Sequence, residues 1–379
     1  MSQGNEADSD WVDVGAAAEV ADGEVREFTL GRGRIAVVRR GDAWGAINGQ
    51  CNHVGGPLGQ GRLDGDYVVC PWHYWKFHWQ TGAGEPGYEA DRVPSHAIRI
   101  ESGRILVQRA SATPRGHLPH PPHPLARAPQ RLPGAIRILG LSTTSMTRDQ
   151  PRYSTSEDLL AHALATAQRD LQCETRLIRF RELKVRECEG FYSKSARACT
   201  WPCSITQMDS HDQMEQVYEG VVHWADVILV ATPIRWGAPG SLYSKMVERM
   251  NCIQNQETLH QRHLLKNKVA SFIVTGGQDN VQAVVGQMLT FFGELGCQFP
   301  QFPFIAHSRG WSAEDMERNQ QAVRDSRALH DGAAALARRS AEMARMMITS
   351  ALGAGAFEGG GRKAGSEESV ARSLAQDSP

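Results

Sequence analysis

Two short clusters of metal-binding side chains constrain this chain more than anything else in it: Cys51-x-His53 and, sixteen residues later, Cys70-x-x-His73. Thiolate and imidazole are side chains that transition metals select. Four such ligands tie two distant points of the backbone to one centre, and so dictate the fold between them. Each loop supplies one sulfur and one nitrogen. Gly55, Gly56 and Pro57 suit a tight turn whose backbone N–H groups approach the centre closely, and Pro71 and Trp72 close the second loop in the same way. Around the loops, Arg34-Ile-Ala-Val-Val-Arg39, Tyr67-Val-Val-Cys70 and Arg104-Ile-Leu-Val-Gln108 are strand-like runs separated by glycine and aspartate turns. Residues 11–110 therefore read as a small all-β unit.

In a Rieske [2Fe–2S] centre two thiolates hold one iron and two histidines hold the other. A structural zinc ion is the competing occupant of such residues. The runs Cys51-Asn-His-Val-Gly-Gly-Pro-Leu58 and Cys70-Pro-Trp-His73, continuing to Thr81-Gly82, resemble the Rieske ferredoxin family over residues 11–110. The resemblance implies that Cys51, His53, Cys70 and His73 ligate a [2Fe–2S] cluster. Unlike the respiratory-complex type, neither Val54 to Pro57 nor Trp72 offers a cysteine for a disulfide between the loops. Tyr74, Trp75, Lys76 and Phe77 follow the second histidine, so no serine and tyrosine pair is clearly placed to donate hydroxyls to sulfur. Fewer such hydrogen bonds place the potential towards the lower end of the roughly −150 to +300 mV Rieske span. The exposed edges of His53 and His73 are the expected electron exit.

A chain of 379 residues has room for a second domain. Residues 111–134 contain seven prolines in 24 positions and no apolar period, which reads as a polyproline-like linker. His117, His120 and His123 fall within it and read as solvated linker. From residue 135 strands alternate with helices. The strand-like runs are 135–140, 175–179, 226–231 and 268–275; the helical ones are 159–171, 217–224, 242–250, 281–295 and 313–350. That alternation implies a parallel sheet covered on both faces. The chain is thus expected to be multidomain: a small all-β Rieske domain at 11–110, a proline-rich linker at 111–134, an α/β domain with a parallel sheet at 135–350 and a disordered Gly/Ser-rich tail at 353–379.

Three loops of the second domain carry chemistry. Leu139-Gly-Leu-Ser142 ends the first strand, and Ser154-Thr-Ser-Glu-Asp158 opens a helix. Ser154 is a good N-cap with Glu157 three residues on, and hydroxyls at a strand end and a helix N-terminus make an anion site. The apolar and aromatic run Ala231-Thr-Pro-Ile-Arg-Trp-Gly237 follows the third strand, where a flat ring lies in an open α/β sheet. Thr275-Gly-Gly-Gln278 follows the fourth. Together with Ala225-Asp226 and Ser244-Lys245…Glu248-Arg249, these runs resemble the flavodoxin-like NAD(P)H-dependent FMN reductase family, including its iron–sulfur flavoprotein relatives, over about 135–312. The resemblance implies FMN with its phosphate at Ser142, Ser154, Thr155 and Ser156. Its ring would lie against Pro233, Ile234, Arg235, Trp236 and Gly237, then Thr275, Gly276 and Gly277. The insertion Thr143 to Tyr153 replaces the family's compact phosphate loop, and its Arg148 and Arg152 are either phosphate partners or solvated. Cys188, Cys199 and Cys203 are too spread for the compact four-cysteine [4Fe–4S] motif and read as thiols near the flavin.

Flavin takes two electrons as a hydride and a [2Fe–2S] cluster carries one, so their union is a two-to-one electron converter. The expected function is an NAD(P)H-dependent oxidoreductase passing electrons from reduced nicotinamide through FMN to the cluster and on to an acceptor, either a redox protein or a small molecule. The alternatives are a flavin-dependent reductase of quinone, nitro or azo compounds with the cluster as relay, and a non-enzymatic redox-sensing carrier. No residue is singled out as catalytic. The resemblance implies a homo-oligomer. A net charge of −1 gives no electrostatic case for nucleic acid or a membrane surface. Met1 to Asp10 is polar and acidic rather than a secretory signal, and no apolar run reaches 18 residues, so a cytoplasmic protein is expected.

Overall fold

The computed structural model describes residues 10–118, 122–131, 133–146, 149–276, 280–309 and 313–349. Gly277, Arg148, His120 and the segment 353–379 lie outside the described residues. Among the described residues the chain divides into two compact units. One comprises residues 10–118 together with Phe191–Ala198; the other comprises 122–190 and 199–349.

The first unit is built from β1 (Trp11–Ala16), β2 (Val25–Leu30), β3 (Gly33–Arg40), β4 (Ala43–Asn48), β5 (Arg62–Asp64), β6 (Tyr67–Val69), β7 (Lys76–His78), β8 (Ser95–Glu101) and β9 (Arg104–Ser111). Six of these pair antiparallel in the order β1-β9-β8-β4-β3-β2, and β5-β6-β7 form a small separate sheet. Two-residue turns connect β2 to β3, β3 to β4, β5 to β6 and β8 to β9; at Ser102 and Gly103, between β8 and β9, both φ angles are positive, as the twist of a tight hairpin demands. Strand β3 shows why the unit needs both sheets. Its alternation sends Ile35 and Val37 to a core with Phe28, Ile105 and Val107, while Ala36 and Val38 join a second core with Ile47, Leu58, Val68, Phe77 and Val93. Both candidate thiols, Cys51 and Cys70, belong to that second core. Burying each Val, Ile or Phe is worth about 1.5–3 kcal/mol, so the loops that carry the ligands are anchored by their own apolar roots. The proline-rich stretch is partly tied down as well: Arg92 and Gly116 exchange backbone hydrogen bonds at 2.9 Å.

The second unit contains β10 (Arg137–Ser142), α1 (Thr155–Leu171), β11 (Glu174–Arg179), α2 (Ser204–Met208), α3 (Met214–Tyr218), β12 (Val227–Arg235), β13 (Ala238–Pro239), α4 (Ser241–Arg249), α5 (Asn251–His260), β14 (Val269–Gly276), α6 (Val281–Glu294), β15 (Phe304–Ser308), α7 (Ala313–Asp325) and α8 (Arg327–Thr349). Strands β11-β10-β12-β14-β15 form a parallel sheet in that order. Counted within the unit this is the 2-1-3-4-5 order of a flavodoxin-like sheet, whose winding reverses between β10 and β12. Helices α1 and α8 cover one face: Leu159, Leu160, Ala163 and Leu164 meet Ala333, Ala337, Ala341 and Ala344 over Ile138, Leu229 and Ile273. Alanines at helical spacing let α8 lie close, and Gly140 does the same for α1, since a Cβ there would stand 2.6 Å from Leu164. Between β11 and β12 the chain is irregular. It is pinned by Arg249 at the end of α4, which is wholly buried and donates to Asp212 at 2.7 Å, Thr206 at 2.9 Å and the Arg186 carbonyl at 2.8 Å. Removing one partner of such a pair costs about 3–5 kcal/mol.

A second network fixes the opening of α1. Glu157 accepts from Ser142 at the end of β10, from Arg179 at the end of β11 at 2.7 Å, and from Arg181. Burial alone would raise this carboxyl, but Arg181, Ser142 and Arg179 hold it at about 2, below its ordinary 4.5. A depressed folded-state value means that the stabilisation is complete above about pH 4.5 and is lost as pH falls towards 2. The gap corresponds to roughly 3 kcal/mol. Glu157→Gln is therefore expected to lower the stability of this unit by about 2–3 kcal/mol at neutral pH and to flatten its stability between pH 4.5 and 2, as measured by denaturant unfolding across that range.

Candidate functional site

The two ligand loops fold alike. In the first, the Cys51 N–H donates to the Gly56 carbonyl at 2.9 Å and the Gly55 N–H returns to the Cys51 carbonyl at 3.0 Å. In the second, the Cys70 N–H donates to Trp75 at 2.8 Å and the Tyr74 N–H returns to Cys70 at 3.0 Å. The fourth residue after each cysteine takes a left-handed conformation, with φ of 79° at Gly55 and 62° at Tyr74. Glycine does this freely; for tyrosine the conformation costs about 1–2 kcal/mol, so surrounding contacts must hold the second loop.

The loops bring their four candidate ligands together as two like pairs. The Nδ1 atoms of His53 and His73 lie 2.9 Å apart. The Cys51 thiol donates to Cys70. That hydrogen bond, with the N–H groups of Trp72 and His73 and the Lys194 ammonium, holds Cys70 at about 7 against burial. The same bond, with burial, pushes Cys51 well above its ordinary value. The donor set fits a [2Fe–2S] centre, which takes one sulfur pair and one nitrogen pair. The cradle is also cut close: a Cβ at Gly56 would stand 2.7 Å from the Cys70 sulfur. Around it, Asn52 donates to Asp91 at 2.6 Å and to the Gly116 carbonyl at 2.8 Å, and Trp75 stacks on His53 with ring centres 4.9 Å apart.

The two histidines differ in exposure, and this corrects the expectation that both edges face outward. His53 is half-buried, but His73 is only 2% exposed. The cause is a segment more than a hundred positions further along the chain. The Phe191 ring meets His73 edge-on at 5.0 Å, and His73 Nε2 lies 2.6 Å from the Ala198 carbonyl.

In the second unit, the residues expected to hold phosphate lie at the C-terminal edge of the sheet. Ser154 caps α1, accepting from the Glu157 N–H at 3.4 Å. Thr144, which sequence reasoning passed over inside the insertion, places its hydroxyl 2.8 Å from Ser154 and 3.2 Å from Ser156. Thr155 and Thr275, from α1 and the end of β14, meet at 2.6 Å. Ser142 is turned to Glu157, and Arg152 donates to the Ser145 carbonyl at 3.1 Å. Hydroxyls from two strand ends thus surround a helix N-terminus, the arrangement that receives phosphate.

The run Pro233 to Gly237 is less loop-like than its sequence suggests. Strand β12 continues to Arg235 and folds back on β13, pairing Ile234 with Pro239 and Arg235 with Ala238. Trp236 and Gly237 form the tip, with φ of 51° and 72°, and Trp236 is 92% exposed. Asn280 braces the tip by donating to the Gly237 carbonyl at 2.6 Å. Gly276 lies against Ile234, where a Cβ would come within 2.7 Å. These residues border the β10/β12 switch point, the place where a flavodoxin-like sheet holds FMN. Of the scattered thiols, Cys203 is held at about 6, chiefly by a hydrogen bond from Cys252 of α5 and, against burial, by the Arg249 guanidinium, while Cys199 is pushed by burial to about 11. The pairing of Cys203 with Cys252 is a tertiary contact that cysteine spacing does not reveal.

Comparison with known proteins agrees with both halves. Residues 10–97 match the Rieske [2Fe-2S] domain family and residues 137–311 match the NADPH-dependent FMN reductase family. The N-terminal region is 34% identical over 100 residues to ferredoxin CarAc of Metapseudomonas resinovorans, covering 26% of this chain and 92% of that one. It is 31% identical over 102 residues to the ferredoxin component of the alkene monooxygenase system of Xanthobacter autotrophicus, covering 26% and 82%. It is also 31% identical over 90 residues to human apoptosis-inducing factor 3, but spans only 15% of that protein and 24% of this one.

The close cradle gives a direct test. Gly56→Ala is expected to lower iron and acid-labile sulfide per chain at least several-fold, with FMN content and the far-ultraviolet spectrum retained, as measured on the purified protein.

Proposed function

Because this chain belongs to the Rieske [2Fe–2S] ferredoxin family and carries an NADPH-dependent FMN reductase domain behind that region, we propose that it passes electrons from NAD(P)H through FMN to the cluster and on to a redox protein. The observation that carries this reading is that one chain forms both a paired sulfur and nitrogen cradle and a ring of hydroxyls at the switch point of a flavodoxin-like sheet. Bound at these places, FMN would accept a hydride and release electrons one at a time, and the cluster would carry one. In this reading Cys51 and Cys70 hold one iron and His53 and His73 the other. Thr144, Ser154, Thr155 and Ser156 donate to the phosphate, and the positive end of α1 faces it. Pro233 to Gly237, with Thr275 and Gly276, border the ring, and the exposed Trp236 is free to lie along it or along the nicotinamide.

The likeness to ferredoxins, one of them the ferredoxin component of an alkene monooxygenase system, supports a protein acceptor, an oxygenase or a similar one-electron partner. In this reading electrons flow from nicotinamide to cluster. No described helix is long and apolar enough to cross a membrane.

The test is anaerobic reduction with NADPH and with NADH, followed by visible absorption and electron paramagnetic resonance. The expected result is a bleached flavin band together with a Rieske-type signal, and faster turnover with a ferredoxin-accepting oxygenase than with quinone, nitro or azo compounds. Flavin bleaching with no cluster signal contradicts the proposed order, and preference for the small acceptors contradicts the protein partner.

A further inference from the structure

The cluster unit contains one segment that is not ferredoxin-like in sequence, and that segment carries charge. Phe191–Ala198 lies between β11 and α2 in sequence, inside the span that matches the FMN reductase family, yet it folds into the cluster unit. Within that unit it closes over the second ligand loop. His73 Nε2 and the Ala198 carbonyl are 2.6 Å apart. The Phe191 ring stands edge-on to His73 at 5.0 Å and to Tyr74 at 6.2 Å. Both Phe191 and His73 are buried.

The segment has two cations, Lys194 and Arg197. Only Lys194 brings its charged end to the loop. Its ammonium donates to the Pro71 carbonyl at 2.7 Å, and Pro71 stands between Cys70 and Trp72. The same ammonium sits 5.6 Å from the Tyr74 ring centre and 5.3 Å from that of Phe191. A carbonyl and two ring faces hold a cation in place without neutralising it. Among the described residues no carboxylate pairs with Lys194.

A thiolate pair and a neutral imidazole pair hold a Rieske cluster, so one-electron reduction adds negative charge to the site. A cation fixed on the ligand loop favours the reduced form and raises the potential. The buried Phe191 and His73 keep water from the loop on that side, which leaves the charge less screened than on an open surface.

We propose that Lys194 is an electrostatic tuning residue of the [2Fe–2S] centre: its ammonium, held on the second ligand loop by the Pro71 carbonyl and the Tyr74 and Phe191 rings, raises the potential at which the cluster accepts its electron. Lys194 acts through its charge and not as a ligand. The inference rests on the ligand assignment above and not on the direction of electron flow.

The test is a spectroelectrochemical titration of the cofactor-loaded full chain, read by paramagnetic resonance, on the wild type and on Lys194→Gln, Lys194→Arg and Arg197→Gln. Lys194 is exposed, so its replacement opens no core. Lys194→Gln is expected to lower the one-electron reduction equilibrium constant of the cluster at least about threefold, a fall in potential of about 30 mV. Iron and sulfide content and the Rieske-type line positions are expected to stay as in the wild type. Lys194→Arg keeps the charge and Arg197→Gln leaves Lys194 in place, so each is expected to change the constant by less than about 1.5-fold. The effect of Lys194→Gln is expected to shrink in 1 M salt, where the Debye length is about 3 Å. An unchanged potential in Lys194→Gln, or an equal fall in either of the other variants, overturns the tuning role. Should Lys194→Gln lose its cluster, Lys194→Met, which keeps an apolar stem beside the two rings, takes its place; loss from both makes Lys194 structural and overturns the proposal. A dithionite-reduced wild type without a Rieske-type signal overturns instead the ligand assignment on which the proposal rests.

Discussion

Two thiols and two imidazoles must meet at one point, and they must arrive as a sulfur pair and a nitrogen pair. Much of the first unit serves that requirement. Cys51 and Cys70 are rooted in the apolar core beneath β3, and each is followed by a loop closed by the same two backbone hydrogen bonds. Gly55 reaches the necessary left-handed turn without cost. Tyr74 reaches the same turn only with help from Phe191 and Lys194, so the more strained loop is the one held by a remote segment. The Gly56 position leaves no room for a methyl group beside the Cys70 sulfur, which ties backbone identity to the size of the centre.

The second unit solves a different problem. An open parallel sheet leaves its polar opportunity where the winding reverses, and here that is between β10 and β12. The ends of these strands and of β14 supply hydroxyls, a braced hairpin tip and a glycine that lets two strand ends close together. The Glu157 network joins the ends of β10 and β11 to the start of α1, so that helix N-terminus is positioned by charge as well as by its Ser154 cap. Glu157 thus does not complete a reciprocal capping box; two arginines compete successfully for its carboxylate.

What could be read directly from residues was local. The four candidate ligands are marked by short spacing, and four of the five parallel strands by apolar runs. Ser154 is marked by its place before a helical period. What escaped depends on distance or on weak local pattern. Strand β15 follows Pro300 and Pro303 and is only half-buried, so neither composition nor alternation marks it. Thr144 lies within an insertion, and only the folded loop sets its hydroxyl beside Ser154. The burial of His73 comes from residues more than a hundred positions away, and the Arg249–Asp212 pair joins a helix end to an irregular segment. Sequence spacing carries no record of such contacts, because tertiary packing alone creates them.

The central claim is that the two cofactors of one chain form a downhill sequence from flavin to cluster. It is tested most directly by a spectroelectrochemical titration of both in the same sample. The account predicts a cluster potential towards the lower end of the Rieske span, near about −150 mV, and no lower than the two-electron potential of the bound FMN. A cluster potential more than about 120 mV below that of FMN would disfavour each one-electron step by about a hundredfold and would contradict the account.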